Sequence, residues 1–334
     1  MKRRKFITLL GGAAAAWPFA AWAQQAAIPV IGYLSLGVPT QSDVSAFRKG
    51  LSEMGYVEGR NLAIEFRSGQ NDRGRMQELA ADLVRRRVAV IAAAGTTAPL
   101  AAKALTSTIP IVFQTGNDPV QYGIVASLNR PGGNVTGINV EDSELGAKRL
   151  GLLHALLPRA ERFAALMDPG SLNAGNEIAD LQTAAAASKN FLPRLLVGHL
   201  QVEVFYAGTK AEIDTAFASL VQKRAEALLV RPHSLFINRR AQILALAARH
   251  AVPAIYGRRA DVEHGGLMSY GPNASDAPRQ LGIYVGHILK GEKTGDLPIV
   301  RSSKFELVIN LQAAKLLGIE VPPTLIAVAD EVIE

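Results

Sequence analysis

The stretch Val88-Ala89-Val90-Ile91-Ala92-Ala93-Ala94-Gly95-Thr96-Thr97-Ala98-Pro99-Leu100 governs the reading of the whole chain. An unbroken run of valine, isoleucine and alanine suits a strand covered on both faces, as in a parallel sheet. Gly95 ends the run. Thr97 then offers a hydroxyl as N-cap, and Pro99 falls in the first helical turn, where its missing N–H costs nothing. Free N–H donors at that helix start point away from the strand, so Gly95, Thr96 and Thr97 form a candidate carboxylate site.

Working outward, the same strand, turn and helix rhythm repeats in both directions, the sign of βαβ units. In the first half the apolar runs predict strands at 28–35, 61–67, 88–94, 109–114 and 135–139, with helices near 41–54, 72–86 and 97–105. Gly55 and the Gly59-Arg60-Asn61 turn act as helix stops. The second half predicts strands at 162–167, 195–205, 226–230, 253–256 and 266–270, and helices near 174–189, 210–223, 237–250 and 274–289. Residues 141–157, ending before Pro158, form an amphipathic bridge. The expected fold is therefore α/β, with two doubly wound parallel-sheet lobes joined by a hinge around a central cleft. A chain of this length usually divides into two such units.

Open parallel sheets bind ligands beyond the carboxyl ends of their strands. The residues just after each strand are accordingly the candidate site. They are Tyr33 and Ser35 after the first strand, Gly95, Thr96 and Thr97 after the third, and Asn117 and Asp118 after the fourth. Asp118 is suited to a ligand ammonium group, or equally to a turn before Pro119. In the second half they are Asp168 and Asn173, His233, Tyr256 and Tyr270, with Arg231 and Arg258 as further cations for a carboxylate. The three tyrosines offer ring surface and a hydroxyl to a ligand.

The N-terminus sets the compartment. Lys2-Arg3-Arg4-Lys5 precedes an apolar run to Ala20 and the small-x-small site Ala21-Trp22-Ala23, the pattern of an export signal cleaved after Ala23. Gly11-Gly12 and Pro18 interrupt that run, which is shorter than a membrane span, so no stable membrane anchor is expected. Arg3-Arg4 with Phe6 is similar to a twin-arginine signal, and an ordinary secretory signal fits as well. The formal charge is +7, and those four cations supply all but +3 of it, which gives no footprint for nucleic acid. With no cysteine there is no disulfide, thiolate metal site or lipidated cysteine. The six histidines lack HExxH or i,i+4 spacing; Gly-x-Ser-x-Gly, the P-loop and Gly-x-Gly-x-x-Gly are missing too. No enzyme, metal or cofactor is expected.

The run from Arg239 to Tyr256, then Gly265-Gly266-Leu267-Met268-Ser269-Tyr270-Gly271, Arg279-Gln280-Leu281-Gly282-Ile283-Tyr284, Ile288-Leu289-Lys290-Gly291 and Lys304-Phe305-Glu306-Leu307-Val308-Ile309-Asn310 carry a resemblance. Together with the N-terminal signal they resemble the ABC transporter substrate-binding protein family that includes tryptophan- and tyrosine-type receptors. The resemblance covers nearly the whole chain. It implies a type I periplasmic-binding fold with a hinge of about three crossings. It also implies lobes made of 28–140 with 272–300, and of 141–271 with 301–334, the helix at 274–289 packing on the first.

Family ligand loops correspond to Gly95-Thr96-Thr97, Gly116-Asn117-Asp118-Pro119-Val120 and Ser269-Tyr270-Gly271. The wording around Asn117 differs from the family's Gly-Asp-Pro, leaving the contact to Asp118 or Asn117. The link at 189–199 is also lengthened. The function implied is a periplasmic receptor for a small polar solute, such as an amino acid, an aromatic acid or a similar carboxylate, passed to an ABC permease and its ATPase subunit. The alternatives are an exported sensor feeding a membrane kinase, or an enzyme on this fold using Asp118 or His233.

Overall fold

The computed structural model describes residues 28–140, 145–170, 174–187, 200–273, 275–301 and 305–334. The export segment, Asn173 and the link at 189–199 lie outside the described residues.

Strand and helix alternate as the apolar runs dictate. The first half holds β1 (Val30–Ser35), α1 (Gln41–Glu53), β2 (Ala63–Ser68), α2 (Met76–Arg85), β3 (Val90–Ala94), α3 (Thr97–Lys103), β4 (Ile111–Thr115) and β5 (Val135–Asn139). The second begins with α4 (Leu145–Leu156), β6 (Arg162–Met167), α5 (Ala174–Ala187), β7 (Gln201–Tyr206), α6 (Lys210–Gln222) and β8 (Ala227–Val230). It continues through α7 (Ser234–Asn238), α8 (Arg240–Arg249), β9 (Ala254–Tyr256), α9 (Arg259–Glu263) and β10 (Met268–Pro272). The expected helix at 237–250 is broken at Arg239, where α7 stops and α8 starts. The last segment is α10 (Asp276–Leu289), β11 (Val300–Arg301), β12 (Phe305–Asn310), α11 (Leu311–Leu316), α12 (Pro323–Val328) and β13 (Glu331–Ile333).

Two sheets result. One runs β11-β5-β4-β3-β1-β2 and is parallel throughout; the other runs β13-β12-β10-β9-β8-β6-β7. The second is parallel except at β10 and β12, which pair antiparallel with Tyr270 opposite Leu307. That pair departs from the all-parallel expectation because β12 enters the sheet directly after β11 of the other lobe, without a covering helix to reverse it. The chain passes between the sheets after β5, after β10 and between β11 and β12.

Each sheet is covered on both faces. Leu34, Ile91, Phe113 and Leu83 pack on one side of the first, and Ile31, Tyr33, Phe47 and Leu281 on the other. Phe163, Met167 and Ile255 lie on one face of the second, opposite Leu166, Phe217 and Leu228. Helix α10 lies on α1, although β10 before it belongs to the second sheet. Glycines allow the approach: a Cβ on Gly50 would meet the Arg279 carbonyl at 1.9 Å, and one on Gly282 the Phe47 carbonyl at 2.2 Å. A bidentate pair from Arg279 to Glu53, at 2.9 and 2.7 Å, fastens the crossing.

Candidate functional site

The carboxyl ends of the two sheets face each other across a cavity of about 350 Å³. The first lobe contributes the ends of β1, β3, β4 and β5, the second those of β6, β8, β9 and β10. This is where parallel-sheet topology leaves a crevice. Its volume lies at the small end of ligand pockets, which run from roughly 300 to 1,000 Å³.

On the first lobe, Gly95 takes φ +87°, a left-handed conformation that lets the chain leave β3 and turn into α3. Thr97 is the first helical residue and not the N-cap expected of it; Thr96 holds the cap position without a side-chain cap bond. Its hydroxyl is engaged elsewhere, 2.8 Å from Thr115 Oγ1, and accepts from Asn117 Nδ2 at 2.9 Å. Thr115 Oγ1 also accepts from the Asn117 N–H at 3.2 Å. Thr96, Thr115 and Asn117 thus lock the loops after β3 and β4 into one polar wall. Ser35 turns its hydroxyl to the Gly37 carbonyl at 2.7 Å and borders the cavity as well.

Asp118 lies outside this wall. It is exposed, and its Oδ1 accepts from the N–H groups of Val120 and Gln121, so it serves the turn into Pro119. Tyr33 borders the cavity with its ring packed against Phe47 and Phe66, 5.2 Å from each. Burial pushes its pKa up, with the neighbouring Asp43 adding to the shift and Arg258 opposing it.

The other two tyrosines do not reach the cavity. Tyr256 is buried in the apolar layer with Phe217 and Leu228, where burial, then Asp261, raises its pKa. Tyr270 points to the opposite face, its ring 6.2 Å from Phe305. Its carbonyl accepts from Nε of the fully buried Arg149 at 2.7 Å. Tyr270 stands two residues short of the strand's end, and Pro272 and Asn273, at the carboxyl end of β10, reach the cavity instead.

Asp168 and His233 meet on the second lobe. Asp168 is only 7% exposed; its Oδ1 accepts from the Gly170 N–H at 3.1 Å, and its Oδ2 lies 3.1 Å from His233 Nε2. His233 caps α7, its Nδ1 accepting from the Leu235 N–H at 3.3 Å. An Nδ1 that accepts leaves the ring proton on Nε2, facing the carboxylate. Burial is the largest influence on His233 and lowers its pKa; Asp168 works against this and Arg73 with it.

The lobes touch directly. Arg73 of the first donates to Asp168 Oδ2 at 2.5 Å, and Arg258 of the second donates to Asp43 Oδ1 at 3.1 Å. Asp43 also closes the capping box of α1 with Thr40. A Cβ on Gly37 would stand 2.7 Å from Ser234 Cβ, which measures how close the two rims approach. Local sequence carries no sign of Asp43 and Arg73 as cleft residues, because their partners lie 215 and 95 positions away.

A family model described as ABC transporter substrate binding protein matches residues 38–333. The chain belongs to that family. Members of this substrate-binding protein family are receptors and not enzymes. A "Tyrosine-binding protein" from Clostridioides difficile (strain R20291) is 29% identical over 276 residues, covering 82% of this chain and 76% of that protein.

Among solved structures, an ABC domain from Streptococcus pneumonia in complex with L-Trp superposes with TM-score 0.80 at 24% identity, over 91% of this chain and 99% of that one. The ligand-free, open structure of a substrate binding protein with adhesive properties from Clostridium difficile gives 0.62 at 27% identity, over 92% and 99%. In the present structure the rims of the two lobes are in direct contact. No helix among the described residues is long and apolar enough to cross a membrane.

Proposed function

We propose that the chain is exported to the periplasm, its signal removed after Ala23, and that it binds a small solute between the two lobes and hands it to an ABC permease and its ATPase. The observation that carries this reading is the cavity itself, walled by strand-end loops from both sheets. A molecule bound there touches both lobes only when they are closed, so it stabilises the closed form through contacts the open form lacks.

The solute class that fits is an amino acid or another small carboxylate. The Gly95 and Asn117 N–H groups are taken by the Gln114 carbonyl and Thr115 Oγ1, so the Thr96 and Thr97 N–H groups at the start of α3, the Thr97 hydroxyl and the second Asn117 Nδ2 proton are what suit a carboxylate, and Leu36, Val140, Met167 and Ile237 provide an apolar wall for the remainder. A thermal-shift screen of the chain from Gln24 onward, against amino acids including L-tyrosine and L-tryptophan, aromatic acids and aliphatic carboxylates, tests this. A concentration-dependent rise in Tm for one chemical class is expected; no shift with any of them would count against the reading.

The polar wall divides Asn117 from Asp118. Asn117→Ala removes the bond to Thr96 and is expected to weaken the best solute of that screen by about tenfold, the value of one lost hydrogen bond near 1.4 kcal/mol. Asp118→Ala alters an exposed turn and should leave calorimetric affinity within about twofold, as surface changes usually do. The reverse order would move the ligand contact to Asp118.

A further inference from the structure

Asp168 gathers more donors than a simple turn residue requires. Two come from its own lobe, the Gly170 N–H and His233 Nε2, and are available whether the cleft is open or closed. The third is Arg73 from the opposite lobe, present only when the rims meet. Gly170 is what admits it: a Cβ there would fall 1.5 Å from Arg73 Nη1, so the guanidinium lies over the bare Cα.

We propose that Arg73, Gly170, Asp168 and His233 form a clasp that holds the lobes together independently of solute and that acidification releases. The proposal rests on the reading of two lobes that open and close, and adds a closing force made by the lobes' own side chains.

The release follows from the chemistry of His233. The charged groups facing it are Asp168 in the loop after β6 and Arg73 from across the cleft; Arg231 stands two residues before it on the same cavity, and the Phe236 ring lies 5.9 Å away. Its own lobe matches its two nitrogens to neutral imidazole, Nδ1 accepting from Leu235 and Nε2 donating to Asp168. A proton on Nδ1 would set N–H against N–H in either form, and in the closed form it would also place a cation beside Arg73.

Burial, the dominant effect, and Arg73 hold the closed-form pKa below the ordinary histidine value, Asp168 notwithstanding. Opening admits water and withdraws Arg73, so the open form takes up the proton more readily. A state that binds fewer protons is favoured at higher pH, and its advantage fades as pH falls through the histidine range.

The natural chain has no cysteine, so Lys49→Cys on α1 and Ala245→Cys on α8, both exposed, give two unique spin-label sites, one per lobe. Without solute at pH 8, the distance distribution of this pair should contain a short, closed component. Arg73→Gln and Gly170→Ala should each reduce it by about tenfold, the effect of losing one charge-assisted hydrogen bond. Lowering the pH to 5.5 should reduce it in the parent, and His233→Gln should remove that pH dependence.

A parent with only the long distance overturns the clasp, as does a short component that ignores Arg73→Gln and Gly170→Ala. If added L-tyrosine or L-tryptophan shortens the distance while those variants change nothing, the clasp alone falls. A distance fixed under every condition sinks closure of the cleft as well.

Discussion

Gly282→Val is expected to cost about 3 kcal/mol of stability, the upper part of the range for overpacking, read as a lower urea midpoint with an unchanged m value. The obstacle is backbone, not a side chain that can swing aside: the Phe47 carbonyl stands 2.2 Å from where the first side-chain carbon would go. Relief requires α10 to lift from α1. Lifting it exposes Leu281 and Val285, together with Phe47 and Leu51 beneath them. An unchanged midpoint would mean that α10 does not close the first lobe in solution.

Gly37→Val should leave that stability nearly untouched and instead hold the lobes apart. Its side chain would meet Ser234 Cβ at 2.7 Å and Asn238 Nδ2 at 3.0 Å across the cleft, whereas the near atom of its own lobe, Asn71 Oδ1 at 3.1 Å, is a side-chain end that a small shift relieves. Solute affinity by calorimetry should fall about a hundredfold, or roughly 2.7 kcal/mol, because most of the penalty falls on the closed state. Wild-type affinity in this variant would show that binding does not bring these rims together.

The strand-and-helix rhythm was legible because each element is decided locally: the run before Gly95 and the proline after Thr97 require no distant information. Strand ends, and with them the loops bordering the cavity, followed directly. Local sequence could not say which way a strand-end side chain points. Tyr256 and Tyr270 looked like ligand surface, but one is buried in an apolar layer and the other lies against Phe305.

Asp118 shows the same limit from the other side, since an Asp-Pro pair reads equally well as a turn, and a turn is what it makes. Contacts between lobes were invisible altogether. Asp43 and Arg73 carry no local signal of their partners, and nothing in the spacing of Gly37, Gly50, Gly170 or Gly282 indicates what approaches them in space. His233 was singled out by position alone; its tautomer emerges only from Leu235 and Asp168 taken together.

The most direct test of enclosure is amide hydrogen exchange with and without the solute that gives the largest thermal shift. Slower exchange should develop together at 95–97 and 115–117 in the first lobe and at 168–170 and 233–235 in the second. Protection confined to one lobe, or appearing only away from these loops, would contradict a solute held between the two.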